Sequence, residues 1–331
     1  MQVLTVFTLK AMLINLLMLF AGLALLVWSA DRFVYGAAAV ARNFGLPSMI
    51  IGLTIVSMGS SAPEMMVSAT AALDGKVDTA IGNVIGSNIA NITLILGATA
   101  LLRSLAVNSL TLKREMPLMM AASLLAGYLL HDLELSFLDG ILLLVAFVGV
   151  LTYLSVSAYR NRDTDPLAHA NDDDIPDNLP TWQAFAWLIV GMALLPLASN
   201  WMVDGAVGIA KWFGMSDLVI GLTIIAIGTS LPELAACVAG VLKGESDLAI
   251  GNVVGSNLFN ILAVLAIPAL IAPGTIDANA AGRDLYIMLG TSLAPLAILW
   301  MKKNQQLGRR EGIALLAVFI AYQSLLFVQA S

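Results

Sequence analysis

Apolar residues run through this chain in long stretches, and its polar residues are gathered into short gaps between them. The stretches lie near 11–30, 45–72, 79–101, 115–131, 137–157, 182–201, 214–241, 247–270, 284–301 and 311–329. Each has about the ~20 residues needed to cross ~30 Å of hydrocarbon. The pattern therefore predicts an all-α polytopic membrane protein with ten transmembrane helices. A signal peptide is not expected at the first stretch, because no small-residue cleavage site leading into a soluble domain follows it.

The gaps carry an orientation. With the N-terminus outside, Arg32, Arg42, Arg103, Lys113, Arg114, Arg160, Arg162, Lys243, Lys302, Lys303, Arg309 and Arg310 lie inside, and only Lys10, Lys76, Lys211 and Arg283 lie outside. Basic residues favour the cytoplasmic side, so both termini are expected to face the periplasm or exterior. The one substantial polar gap, 158–181, holds Asp163, Asp165, Asp172, Asp173, Asp174 and Asp177. It lacks the Gly and Glu that an EF-hand loop requires and reads as a solvated cytoplasmic linker between 1–157 and 182–331.

Those two parts contain a repeat. Gly52 to Asn91 recurs without a gap as Gly221 to Asn260, offset by 169 positions and identical at 20 of 40. Five spans in each part force the second copy to enter the membrane upside down. Inverted repeats of this kind share a site near the midplane, at their pseudo-two-fold axis.

Composition agrees with a membrane protein and adds one anomaly. The chain is 59% hydrophobic and 11% charged, against roughly 25% charged in soluble domains. Among its 22 acidic residues only Glu64 and Glu233 fall in mid-span, and they are repeat partners with no Lys or Arg at their depth. A charge at the centre of a membrane helix costs ~3 kcal/mol or more, so this pair requires protons or a bound cation. Two carboxylates match the charge of one Ca²⁺.

The neighbours of the two acids are oxygen donors. Ser60 and Ser61 precede Glu64 by four and three positions, as Thr229 and Ser230 precede Glu233, and so share its helix face. Ser87 with Asn91, and Ser256 with Asn260, form i, i+4 pairs in the next span of each copy. Pro63 and Pro232 donate no N–H, which deprives the Gly59, Ser60, Gly228 and Thr229 carbonyls of helical partners. Hydroxyl, amide, carbonyl and carboxylate oxygens suit hard cations. Asn83, Asn88, Asn252 and Asn257 read as interhelical hydrogen bonds, and the glycine pairs 82/86 and 251/255 read as close packing. Cys237 aligns with Ser68 and reads as a small packing residue; His131 and His169 fall in loops.

The segments GSSAPE with GSNIAN, and GTSLPE with GSNLFN, closely resemble the α-repeats of the cation/Ca²⁺ exchanger superfamily, the sodium/calcium exchangers, and the length and spacing resemble its bacterial inner-membrane members. The resemblance implies four cation sites in a diamond between the second, third, seventh and eighth spans. Glu64 and Glu233 would be ligands shared by Ca²⁺ and Na⁺, with the Ser60 and Thr229 carbonyls completing the calcium site. Asn91 and Asn260 would take the remaining corners, and Ser61, Ser87, Ser230 and Ser256, with backbone oxygens near Ser57 and Ala226, would form outer sodium sites. The first and sixth spans would slide to alternate access. Some members carry aspartate where this chain has Asn260, so a K⁺-coupled mode is less supported here.

The expected function is a secondary antiporter exchanging Ca²⁺ for Na⁺. A Ca²⁺ or Na⁺/H⁺ antiporter using the same glutamates, and more distantly a cation channel, are the alternatives. No HExxH, P-loop or GxGD pair points to an enzyme. No cofactor, nucleic-acid partner or required protein partner is expected; the partners are inorganic cations and the lipid bilayer.

Overall fold

The computed structural model describes residues 2–45, 51–107, 111–160, 179–213, 226–302 and 304–330. The main helices are α1 (Gln2–Phe44), α2 (Ala62–Leu73), α3 (Val77–Ala90), α4 (Met116–Leu129) and α5 (Phe137–Arg160). They are followed by α6 (Thr181–Trp212), α7 (Leu231–Leu242), α8 (Ser246–Phe259), α9 (Leu285–Met301) and α10 (Arg309–Ala330). Among the described residues, seven helices are long and apolar enough to cross a membrane. The chain is an all-α, multi-pass membrane protein.

Of the three remaining sequence stretches, two are interrupted and one is short. Stretches 45–72 and 214–241 break at Ser61 and Ser230, whose backbones leave helical geometry just before Pro63 and Pro232, and each includes residues outside the described set. Stretch 115–131 gives the 14-residue helix α4 behind a π-helical turn, Thr111–Glu115, that carries Lys113, Arg114 and Glu115. Most of the expected linker, 161–178, also lies outside the described residues.

Burial follows composition. In their most apolar 18-residue stretches, Val77–Leu102 and Ser246–Ile271 are 78% and 83% buried, whereas that of Ala11–Phe44 is 11% buried. The two amide- and glycine-rich spans thus sit at the centre, and the purely apolar spans surround them with lipid-facing surface. Leu17, Phe20, Val145 and Ile320 are each more than 60% exposed on that perimeter.

α1 and α6 form a layer of their own. They pack antiparallel through glycines at close approach: a Cβ on Gly36 would meet Leu188 N at 2.5 Å, and one on Gly205 would meet Leu19 N at 2.6 Å. Small residues let membrane helices approach this closely. The pair meets the rest of the molecule through a separate apolar cluster that includes Ala30, Phe33, Ala37, Val56, Ala236 and Leu248.

Two features differ from the sequence expectation. The first and sixth helices run on past residues 30 and 201 to Phe44 and Trp212, because charged side chains do not break a helix and here find partners beside it: Asp31 meets Lys243 at 2.7 Å. The loops also hold two short antiparallel pairs, β1 (Leu105–Ala106) with β4 (Gln306–Leu307) and β2 (Glu134–Leu135) with β3 (Gly274–Thr275). Each ties a loop of the first part to one of the second.

These contacts define two ends. At the β1/β4 end, Arg103 reaches the Val241 carbonyl at 3.4 Å and Lys302 pairs with Glu311 at 2.6 Å. At the β2/β3 end, the Asp277 N–H donates to Asp78 Oδ1 at 2.7 Å.

Candidate cation site

The breaks at Ser61 and Ser230 bring Glu64 and Glu233 to the first turns of α2 and α7, in the middle of the molecule. Both side chains are 1% exposed. They are close enough to interact electrostatically, and the Ser87 hydroxyl faces Glu64. Ser61 Oγ donates to Glu233 Oε1 at 2.9 Å, so a hydroxyl of the first copy holds a carboxylate of the second. Among the described residues no basic side chain pairs with either acid.

The backbone near Pro63 behaves as its chemistry requires. Hydrogen bonds cross the break from Ser61 N to Ser57 O at 3.0 Å and from Met65 N to Ser61 O at 3.2 Å, skipping the Ser60 carbonyl. In the second copy the bonds run from Ser230 N to Ile227 O and from Leu234 N to Ser230 O. The Gly228 carbonyl, released by Pro232, is taken by Ser199 Oγ at 2.6 Å. Ser57 O receives the Ser60 hydroxyl as well as Ser61 N, and Ser57 Oγ donates to Leu53 O at 2.8 Å. Ala226 opens the short helix Ala226–Thr229 that leads into the second break.

Asn91 and Asn260 lie where α3 and α8 pass into π-helical turns, Asn91–Leu96 and Asn260–Val264. Such turns widen a helix locally and recur at functional sites. Ser87 and Ser256 sit one turn earlier and are buried. The second tier of asparagines takes up backbone and hydroxyl groups: Asn83 donates to Glu64 O and Ser68 Oγ, each at 3.1 Å, and the Ser60 hydroxyl lies 3.2 Å from Asn252 Oδ1.

A set of buried oxygens is left without partners. Glu64 Oε2, Glu233 Oε2, Asn91 Oδ1, Asn260 Oδ1, Ser230 Oγ and Ser256 Oγ have no hydrogen bond and no solvent contact. Unpaired buried polar atoms are rare, and each costs about 1–3 kcal/mol. Six within one repeated motif form an oxygen-rich, net-negative set of the kind hard cations take. Among the described residues no three His, Cys, Asp or Glu side chains cluster, so the formal charge of this set is limited to its two carboxylates.

The family model for sodium/calcium exchanger proteins matches residues 14–156 and 183–328. The chain belongs to the sodium/calcium exchanger family. CaxA of Alkalimonas amylolytica is 56% identical over 317 residues, covering 96% of this chain and 99% of that protein. The inner membrane protein YrbG of Escherichia coli K12 is 45% identical, with 96% and 98% covered. The solved structure of the sodium-calcium exchanger NCX_Mj, soaked with Na⁺ and Ca²⁺, superposes with a TM-score of 0.79 at 30% identity, covering 93% of this chain and 96% of that one. The exchanger is thus a cation/Ca²⁺ antiporter, a transporter and not an enzyme.

Proposed function

We propose that this exchanger moves Ca²⁺ against Na⁺ by letting the two ions compete for Glu64 and Glu233. The observation that carries the reading is the set of six unpartnered buried oxygens, one on each of two unneutralised carboxylates and four on the amides and hydroxyls of the same motif. One Ca²⁺ balances both charges, and Na⁺ ions must replace it together before the carrier can reorient without leaving a bare charge in hydrocarbon.

The assignment follows the diamond of the family. Glu64 and Glu233 are shared ligands, with the Ser60 and Thr229 carbonyls on Ca²⁺ and Asn91 and Asn260 at the remaining corners. Ser61, Ser87, Ser230 and Ser256, with backbone oxygens at Ser57 and Ala226, belong to the outer Na⁺ sites. The architecture is ten spans in two inverted five-helix parts, 1–157 and 182–331, about the linker 158–181. Both termini face outward from a bacterial inner membrane. The separate α1/α6 layer, packed on small residues, is the element that slides.

With three Na⁺ per Ca²⁺, one net charge crosses in each cycle, worth ~2.3 kcal/mol per 100 mV. The test is ⁴⁵Ca²⁺ uptake into proteoliposomes under separately imposed Na⁺ and H⁺ gradients. Uptake should follow the outward Na⁺ gradient and respond to voltage. Uptake driven by the pH gradient alone would replace Na⁺ with protons on the same glutamates.

A further inference from the structure

Each corner amide is held by another amide, one that the sequence pattern reads only as an interhelical hydrogen bond. Asn91 Nδ2 donates to Asn257 Oδ1 at 2.9 Å, and Asn260 Nδ2 donates to Asn88 Oδ1 at 3.2 Å. Asn88 Nδ2 and Asn257 Nδ2 face one another's backbone carbonyls, at 3.5 Å in both directions. The same two amide nitrogens touch sulfur, Asn88 on Met288 at 3.7 Å and Asn257 on Met119 at 3.6 Å. All six residues are repeat partners at the 169 offset: 88 with 257, 91 with 260, 119 with 288. The four amides are at most 1% exposed.

The chemistry of the partners dictates which way each amide points. A backbone carbonyl and a thioether sulfur accept hydrogen bonds and donate none. The end of Asn88 that meets Asn257 O and Met288 Sδ is therefore its NH₂, which leaves its oxygen facing Asn260. That oxygen can be met only by a donor, so Asn260 turns its own NH₂ toward Asn88. The Asn260 oxygen is then left on the far side, and it is one of the buried atoms without a partner. The same chain of reasoning runs from Met119 through Asn257 to Asn91, whose oxygen is likewise unpartnered.

We propose that Asn88 and Asn257 are positioning residues that hold Asn260 and Asn91 with their oxygens toward the transported cation. The proposal rests on the reading that those two oxygens are ligands. An amide free to turn presents either a carbonyl dipole or an NH₂ to the ion, and the second removes a ligand and repels the charge. Fixing the direction in advance spares the cation that cost. The brace also crosses the repeat, since Asn88 of the first copy sets Asn260 of the second and Asn257 sets Asn91. Aspartate at 88 or 257 offers the oxygen but no donor for the carbonyl and sulfur, and leucine offers neither.

The test is Ca²⁺ affinity of the purified exchanger by equilibrium dialysis with ⁴⁵Ca²⁺, with KM and kcat from proteoliposomes alongside. Asn88→Leu and Asn257→Leu should each weaken Ca²⁺ by about 10-fold or more, the range found when a residue orienting a metal ligand is lost. The change should fall on KM more than on kcat. The decisive arm uses Asn260→Asp, because a carboxylate presents oxygen from either end and needs no orientation. In that background Asn88→Leu should lose most of its effect, while Asn257→Leu, whose target is still an amide, should keep all of it.

Equal losses from Asn88→Leu with and without Asn260→Asp would show that Asn88 only packs, and would overturn the proposal. Should Asn88→Leu fail to insert, Asn88→Ser asks the same question, since a hydroxyl donates as readily as it accepts and dictates no direction. Glu64→Gln in the same assay separates the two levels. Unchanged Ca²⁺ affinity in Glu64→Gln sinks the site itself, whereas lost affinity there together with background-independent Asn88 losses sinks the positioning role alone.

Discussion

The two repeat copies are nearly equal in chemistry and unequal in surroundings. In the second copy the small-residue face of α8 is sealed. A Cβ on Gly255 would meet Leu53 O at 2.5 Å and Ser57 Oγ at 2.7 Å, because the turn Gly52–Val56 lies directly on it. In the first copy, Gly82 and Gly86 of α3 have nothing within 4 Å of a built Cβ among the described residues, and the repeat counterpart of that turn, 221–225, lies outside them. That face lines a cavity of about 270 Å³ that reaches Ser87 and Thr229 and is bordered by Asp284, Tyr322 and Gln323. The borders belong to the β2/β3 end, where Tyr322 Oη lies 3.1 Å from Asp284 Oδ1. A carrier built from two like copies reaches its site from one side at a time by placing those copies in different environments.

Largest in effect are substitutions that strike both copies alike. Glu64→Gln or Glu233→Gln removes one of the two charges that answer a divalent ion, and each should reduce Na⁺-dependent ⁴⁵Ca²⁺ uptake to background while the protein inserts normally. A copy whose glutamine variant still transports near the parental rate would show that the comparison is between a site and a relic.

Next come the glycines, which sharpen the contrast. Gly255→Ala forces a methyl against backbone and should cost about 1–3 kcal/mol, the range for overpacking, read as a lower thermal midpoint in detergent. Gly86→Ala meets no atom of the described residues and should leave that midpoint unchanged. Yet if the first copy must close when the second opens, Gly86→Ala should slow turnover in proteoliposomes. Equal thermal costs at the two positions would mean that α3 and α8 are equally packed.

How much of this was legible beforehand differs from residue to residue. Glu64 and Glu233 stood out because charge in hydrocarbon is conspicuous at any resolution of pattern. The α1 terminus at Phe44 did not, since a hydropathy window registers Asp31 and Arg32 as an end, whereas the backbone hydrogen bonds of a helix continue past charged side chains, Asp31 here resting on Lys243. The two-residue β pairs are too short for alternation to show. Asn88 and Asn257 were visible as a repeated pair, but their role depends on which end of an amide faces which acceptor, and only the backbone carbonyls and Met sulfurs across the interface decide that. Ser199 gave no signal at all, because its repeat partner is Ala30.

That last pair yields the smallest prediction and the most local one. Proline at 63 and at 232 releases an equivalent carbonyl in each copy, Gly59 and Gly228, but among the described residues only the second half supplies a hydroxyl one helix away, where Ser199 donates to Gly228 at 2.6 Å. Ser199→Ala makes the two halves alike at this position. It strands a buried carbonyl and should cost about 1–3 kcal/mol, seen as a modest fall in thermal midpoint. It also loosens the tie between α6 and the break before Glu233, which stands beside the Asp31–Lys243 pair as a polar link from the α1/α6 layer to the second copy. If that tie holds α6 in the present state, Ser199→Ala should raise turnover or leave it unchanged while stability falls. A drop in turnover larger than the drop in stability would show instead that the Ser199 bond is needed through the whole cycle.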